Sequence, residues 1–143
     1  MGNISEEADS YIKKIAEEKN LQIISLHSCD KNDYWYYTGP SEFVWLIENA
    51  SLVCTDSFHA CVFSILMDSP FIVFKREAKN SMHSRLENLL VKFNLQNRFF
   101  EQFQEGAEFE KNYNHIDEIL KFEREKSVKF LTRVLNLNDE KND

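Results

Sequence analysis

The stretch SLVCTDSFHACVFSILMDSPFIVF, residues 51–74, decides the fold because it is typical of a strand, a helix and a second strand. The apolar run of residues 51–55 and the fully apolar run of residues 71–74 predict the two strands. Between them, apolar side chains recur at the helical spacing i, i+3, i+4, i+7, i+8, namely at Phe58, Cys61, Val62, Ile65 and Leu66. Short strands that alternate with helices predict a parallel sheet covered by helices.

Upstream of this unit, the sequence predicts two further helices and two further strands. Ser5 can cap an amphipathic helix, and Pro40 with Ser41 opens a second one. The run LQIISL, residues 21–26, predicts a buried strand. The aromatic residues 34–37 predict a brief strand inside a polar loop.

Downstream of the unit, Ser84-Arg85-Leu86-Glu87 has the spacing of a capping box and predicts a fourth helix. The run NRFF, residues 97–100, predicts one more short strand. A long charged helix from about His115 to Asn136 is expected to bury five apolar residues, namely Ile116, Ile119, Leu120, Leu131 and Leu135. Without a repeat or an internal boundary, residues 1–143 are predicted to form one three-layer αβα Rossmann-like domain with a mostly parallel sheet, frayed at residues 137–143.

Composition limits the classes of function. The chain has 143 residues and a net charge of −7, and no stretch concentrates Lys or Arg, which argues against nucleic acid as a partner. The cysteines Cys29, Cys54 and Cys61 lack metal-type spacing, and no histidine pair has helical metal-ligand spacing, so no metal and no cofactor are expected. An odd cysteine count, short apolar runs and an acidic N-terminus predict a cytoplasmic protein.

A candidate site lies where the first strand of the quoted stretch passes into its helix. Ligands of parallel sheets bind beyond the carboxyl ends of the strands. There Thr55, Asp56 and Ser57 can cap the helix, and its first-turn N–H groups form a natural site for phosphate or carboxylate. His59 lies in that first turn, at the edge of the apolar stripe.

Basic residues that follow a strand or open a helix can reach the same edge. Arg85 and the Lys75-Arg76 pair have such positions. Arg85 is the more informative, because a cation at a helix N-terminus opposes the helix dipole and suggests another task. The structural alternative stays open: Thr-Asp-Ser before a helix is ordinary capping, and a single histidine beside an apolar face is often structural.

Five linked features, in order, carry a family resemblance. They are the Gly-Pro-x-Glu-Phe start of the second helix (residues 39–43), the A-x-x-V-x-T-D-S-F-H core (residues 50–59), FSI (63–65), PFIVF (70–74) and the SRLENLL helix (84–90). With them the chain resembles the polysaccharide pyruvyl transferase family from roughly Gly39 to Arg98. The residue after the histidine is commonly Gly in this family but is Ala60 here.

The resemblance implies a transferase that moves a pyruvyl group from phosphoenolpyruvate onto two hydroxyls of a sugar or glycan, in the synthesis of bacterial surface polysaccharide. It implies the C-terminal half of a two-domain architecture similar to that of GT-B-type glycosyltransferases. His59 is the implied catalytic residue, and Thr55, Asp56, Ser57, Phe58, Arg85 and Lys75 are the implied substrate-binding residues. A complete member has about twice this length, so the N-terminal half or a partner chain is expected to be needed for turnover.

Two other classes of function remain open. A non-catalytic module could keep the anion site at the helix start and recognise a nucleotide or a sugar phosphate. A structural α/β subunit could instead pair with another subunit, including a second copy of itself. Trp35, Trp45 and Phe63 would then face the partner.

Overall fold

The structure is a computed structural model, and it describes residues 5–26, 31, 34–74, 82–111 and 113–135. The chain divides into two compact units after Lys111. The prediction that residues 1–143 form one domain stays a prediction, and residues 137–143, expected to be frayed, lie outside the described ranges.

Among the described residues, the first unit contains six helices and strands, and the second contains one helix. The order is α1 (Glu6–Glu18), α2 (Pro40–Asn49), β1 (Val53–Thr55), α3 (Phe58–Leu66), β2 (Phe71–Val73) and α4 (Met82–Lys92), then α5 (Ile116–Val134). Short 3-10 turns occur at Tyr34–Tyr37, Gln96–Arg98 and Phe100–Gln102.

The two strands form a parallel pair. Val53 lies opposite Phe71 and Thr55 opposite Val73, and an isolated parallel bridge joins Val73 to Phe99. The predicted strand–helix–strand unit and the α/β class are therefore confirmed. Within the described residues the sheet has two strands, so the larger three-layer sheet remains a prediction.

The core of the first unit is built on β2 and the residue after it, because residues 71–74 are buried without exception. Ile72 and Phe74 form a cluster with Ala8 of α1, and Tyr11 and Ile12 of the same helix pack against it. Successive side chains of a strand alternate between faces, so Phe71 and Val73 point to the opposite face. Burying each of these side chains contributes about 1.5–3 kcal/mol.

Three helices end in the same backbone conformation. Asn20, Asp68 and Asn94 follow α1, α3 and α4 at φ values of 51°, 53° and 53°. The N–H of the next residue then bonds back into the last turn, as from Leu95 N to Leu90 O at 2.8 Å. Asn and Asp tolerate this left-handed conformation better than other non-glycine residues. This is how a chain with three glycines can end its helices sharply.

Three strand predictions were wrong or only partly right. Residues 21–26 form no strand, and Ile23 and Ile24 are exposed rather than buried, since an apolar run becomes a strand only when a neighbour pairs with it. Tyr34–Tyr37 forms a 3-10 turn. In the run 97–100, pairing is limited to the bridge at Phe99.

Two helix predictions also need correction. Helix α4 begins at Met82, so Ser84 lies inside the helix and cannot be the N-cap of a capping box, which requires a non-helical conformation. In α5, Ile116 is buried as predicted, but Leu131 and Leu135 are 51% and 60% exposed. Helical periodicity identifies an apolar face; it does not show whether anything covers that face.

Candidate functional site

The candidate site forms at the carboxyl end of β1, where the chain turns into α3. The Ser57 N–H donates to Thr55 Oγ1 at 3.0 Å, which fixes the turn by a local side-chain bond. The Phe74 N–H donates to Thr55 O at 2.9 Å and holds the end of β1 against the neighbouring strand. The start of α3 is therefore tied to the core through Thr55.

Helix α3 begins without a side-chain cap. Ser57 occupies the N-cap position in an extended conformation, but its hydroxyl makes no capping hydrogen bond. The prediction that Thr55, Asp56 and Ser57 cap the helix was wrong for Ser57, and Thr55 Oγ1 accepts a bond within the turn instead. N–H groups in a first helical turn have no acceptor within the helix. In α3 the side chain of the N-cap residue Ser57 does not accept a hydrogen bond from them either.

Three side chains meet above this helix start. The rings of Phe58 and His59 lie edge to face with their centroids 5.9 Å apart. The Arg85 guanidinium carbon lies 5.7 Å from the centroid of the Phe58 ring, within the range of a cation–π contact. His59 and Arg85 are both exposed and Phe58 is half-buried between them.

The first turns of α3 and α4 are thereby brought to the same edge of the sheet. Arg85 is the fourth residue of α4, and Phe58 is the first of α3. The sequence placed His59 and Arg85 at one edge, and the structure places both there. It assigned Phe58 to the apolar stripe, yet Phe58 is the residue that contacts both of them.

The cysteines near the site are unsuited to nucleophilic chemistry. Burial raises the pKa of the Cys54 thiol to about 12. Burial also raises the pKa of Cys61 to about 12, and the negative charge of Asp56 acts in the same direction. Both thiols therefore stay protonated near neutral pH, as expected for small buried residues.

Some candidates contribute less to the described site. Lys75 lies outside the described residues. Arg98 is buried, and its Nη2 donates to Glu110 O at 2.5 Å, so it ties two parts of the chain together away from solvent. In the described ranges, no group of three or more His, Cys, Asp or Glu side chains is arranged to hold a metal ion. No helix in those same ranges combines the length and apolar character needed to cross a membrane.

Known proteins offer one match. The family model described as polysaccharide pyruvyl transferase matches residues 2–77, which is more than half of the chain. The matched region includes the whole turn from Thr55 to His59 and stops before Arg85. No curated protein and no solved structure matches the chain.

Proposed function

This chain belongs to the polysaccharide pyruvyl transferase family, and we propose that it binds phosphoenolpyruvate at the start of α3 and helps to transfer the pyruvyl group to two hydroxyls of a glycan. The contact of Phe58 with both His59 and Arg85 carries the proposal. It unites a proton-transferring side chain and a cation beside a helix N-terminus that the Ser57 side chain does not cap. In this proposal the product is a pyruvylated bacterial surface polysaccharide, and the reaction takes place in the cytoplasm.

Phosphoenolpyruvate matches the chemistry of this edge. It carries a carboxylate and a phosphate, so it needs N–H donors and cations. The first turn of α3, which the Ser57 side chain does not cap, supplies backbone N–H donors. The positive end of the helix dipole lies at the same place and also attracts an anion. The Arg85 guanidinium supplies a planar, permanently charged donor set. Lys75, which lies outside the described residues, is proposed as a second cation on the basis of its position in the chain.

The proposed reaction balances without a metal or a redox partner. A proton adds to the methylene carbon of phosphoenolpyruvate, and a sugar hydroxyl attacks the resulting oxocarbenium-like carbon. The bond from that carbon to the phosphate oxygen then breaks, and phosphate leaves. The second hydroxyl attacks the same carbon and closes the ketal. The two hydroxyls lose two protons, of which one balances the methylene proton and the other leaves with phosphate.

His59 is the proposed catalytic residue. His59 is the second residue of α3, and its exposed ring can be approached by an acceptor hydroxyl. An imidazole can accept the hydroxyl proton or donate one to the departing phosphate, an effect typically worth about 10²–10⁴-fold in rate. Thr55, Asp56, Ser57 and Phe58 are proposed to shape the phosphoenolpyruvate site around it.

The exposure of His59 and Arg85 supports a site that another surface covers during turnover. Electrostatic stabilisation of a transition state is strong only where water is excluded. We therefore propose that a second Rossmann-like half, or a partner chain, closes over this edge in a GT-B-like arrangement. On this basis the chain alone binds phosphoenolpyruvate but turns it over slowly or not at all.

Calorimetric titration of phosphoenolpyruvate tests the site. Arg85→Ala is expected to weaken binding by about 10- to 100-fold, because hydrogen bonds to charged groups are worth roughly 1.5–3 kcal/mol. Arg85→Lys should recover only part of the loss, since it keeps the charge but not the planar donors. The matched control is Lys92→Ala, two turns further along α4, which should bind normally.

The same titration separates the proposal from its alternatives. His59→Ala should weaken phosphoenolpyruvate binding, whereas His115→Ala, the same change at the start of α5, should not. Equal weakening by Arg85→Ala and Lys92→Ala would show only a general charge effect and contradict the site. Tighter binding of a nucleotide sugar than of phosphoenolpyruvate would favour a non-catalytic binding module instead.

A further inference from the structure

Four consecutive aromatic residues form a 3-10 turn directly before α2, and two of them are among the most exposed apolar side chains described. Tyr34 is 83% exposed and Tyr37 is 78% exposed. Residues i and i+3 of a 3-10 helix lie on the same side, so these two rings share one face, separated by a rise of about 6 Å. We call Tyr34 and Tyr37, with Trp35 beside them, the aromatic platform.

The platform has a fixed backbone. The N–H and the hydroxyl of Thr38 both donate to Trp35 O, at 3.2 Å and 2.7 Å. The rings of Tyr34 and Trp35 lie edge to face at 4.9 Å. The ring of Tyr37 makes a similar contact with Tyr36 at 5.0 Å. Edge-to-face contacts of this kind are favourable and hold the paired rings together.

A ring contact joins α2, the helix that follows the platform, to α3. Helix α2 ends at Asn49, three residues before β1 begins, so its C-terminus lies at the amino end of β1. The Phe43 ring in the first turn of α2 packs edge to face on the Phe63 ring of α3, with centroids 6.1 Å apart. Phe63 is the sixth residue of α3, so this contact sets the first turn of α2 beside the middle of α3, about 8 Å along that helix from Phe58.

Such exposure needs an explanation from function. Single exposed apolar residues are ordinary, but a contiguous exposed aromatic patch marks a binding surface. Tyr and Trp rings offer flat apolar faces together with a polar group, which suits a ligand with C–H faces and many hydroxyls. A pyranose ring has those two properties.

We propose that the aromatic platform binds a pyranose unit of the acceptor glycan. The assignment to the acceptor rests on the proposed function. Tyr34 and Tyr37 would stack on sugar rings, and their hydroxyls would bond to sugar hydroxyls. This role differs from that of Arg85 and the α3 start, which bind the anionic donor.

Tryptophan fluorescence tests the platform, because the chain has two tryptophans, Trp35 and Trp45. Trp45→Phe leaves Trp35 as the reporter at the platform, and Trp35→Phe leaves Trp45 on α2 as the matched control. The probes are methyl glycosides of galactose, mannose, glucose and N-acetylglucosamine, with their β-linked disaccharides. A saturable change is expected in the Trp45→Phe protein and none in the Trp35→Phe protein.

Substitutions in the Trp45→Phe protein show whether ring stacking, rather than another contact, causes the fluorescence change. Tyr34→Ala and Tyr37→Ala should each weaken saccharide binding by about five- to tenfold, whereas Tyr34→Phe and Tyr37→Phe should keep most of it. Calorimetry on the same alanine variants should show normal phosphoenolpyruvate binding. No response to any of these sugars, in a protein that binds phosphoenolpyruvate, would overturn the platform and leave the donor site standing.

Two further outcomes are informative. Saccharide binding by a protein that does not bind phosphoenolpyruvate would keep the platform and overturn the proposed function. If sedimentation shows a dimer that Tyr34→Ala or Tyr37→Ala dissociates, the rings form a contact between copies of the chain, and the saccharide assignment is overturned.

Discussion

At the scale of single residues, Ser5 and Ser57 occupy equivalent places before α1 and α3 but make different bonds. Ser5 Oγ accepts a hydrogen bond from Ala8 N at 3.2 Å, whereas the Ser57 hydroxyl caps nothing. Ser5→Ala should lower the free energy of unfolding by about 1 kcal/mol, and Ser57→Ala by less than half of that. Urea denaturation of the two variants measures the difference. Equal losses would show that Ser57 does cap α3.

Cys54 and Cys61 provide a second test at this scale. Because burial raises the pKa of each thiol to about 12, the thiolate fraction at pH 8 is about 1,000-fold lower than for an ordinary thiol of pKa 9. We expect iodoacetamide at pH 8 to label neither residue in the folded protein and both after denaturation. Peptide mass mapping reads out the labelling of each site separately. Rapid labelling of Cys61 in the folded state would contradict its burial.

Individual site residues were predictable to different degrees. Helical periodicity and the polar triplet before it were enough to place His59 in a first turn at the strand end. The contact between Arg85 and Phe58 was not predictable, because it depends on how two helices pack and not on spacing along the chain. Whether a serine in an N-cap position forms the cap also depends on local geometry. Here Thr55 Oγ1 accepts a hydrogen bond from the Ser57 N–H.

At the scale of elements, α1 is held to the segment after the 3-10 turns by a buried carboxylate. Tyr11 Oη donates to Glu108 Oε1 at 2.6 Å, and the Gly106 N–H donates to the same oxygen at 3.0 Å. Glu108 is 7% exposed. Burial raises the pKa of Glu108, but the hydrogen bonds from Tyr11 and the backbone outweigh it and hold the pKa below its ordinary value.

This pair predicts a dependence of stability on pH. Because the pKa of Glu108 is lower in the folded state, its contribution is present above the unfolded pKa and is lost as the pH falls through the folded pKa. Tyr11→Phe should cost about 1.5–3 kcal/mol at pH 7 and flatten the acid side of the stability profile.

Lys14→Ala is the matched control for Tyr11→Phe. Lys14 Nζ lies 3.0 Å from Glu105 Oε1 and joins the same two segments, but the pair is exposed. Exposed ion pairs contribute little to stability, so this variant should remain close to wild type. Urea midpoints between pH 3 and pH 7 compare the variants. A Tyr11→Phe profile parallel to that of wild type would show that Glu108 does not depend on this bond.

The elements themselves could be predicted where the local pattern and the packing agree. The strands at Val53–Thr55 and Phe71–Val73 and the four helices around them follow from apolar runs and helical spacing. The conformation of residues 21–26 could not be predicted in this way, because an apolar run forms a strand only when it pairs with another strand. The tie between Tyr11 and Glu108 spans 97 positions and leaves no periodic signal in the sequence.

At the scale of the whole molecule, the net charge of −7 means that the proposed anionic donor can be attracted only by a local group of cations and N–H donors. A donor with a carboxylate and a phosphate would be repelled by most of such a surface. The proposed donor site therefore depends on Arg85 together with the start of α3, which the Ser57 side chain does not cap. The two proposals together assign donor binding and glycan binding to separate groups of residues.

The most direct test of this central claim is a titration of phosphoenolpyruvate into the ¹⁵N-labelled chain, followed amide by amide by NMR. We expect the largest shifts at residues 57–60 and at Arg85, and we expect Arg85→Ala to remove most of them. Amides of the aromatic platform should move with added saccharide rather than with phosphoenolpyruvate. Millimolar phosphoenolpyruvate that leaves residues 57–60 unshifted, or shifts another region that Arg85→Ala does not affect, would contradict the account.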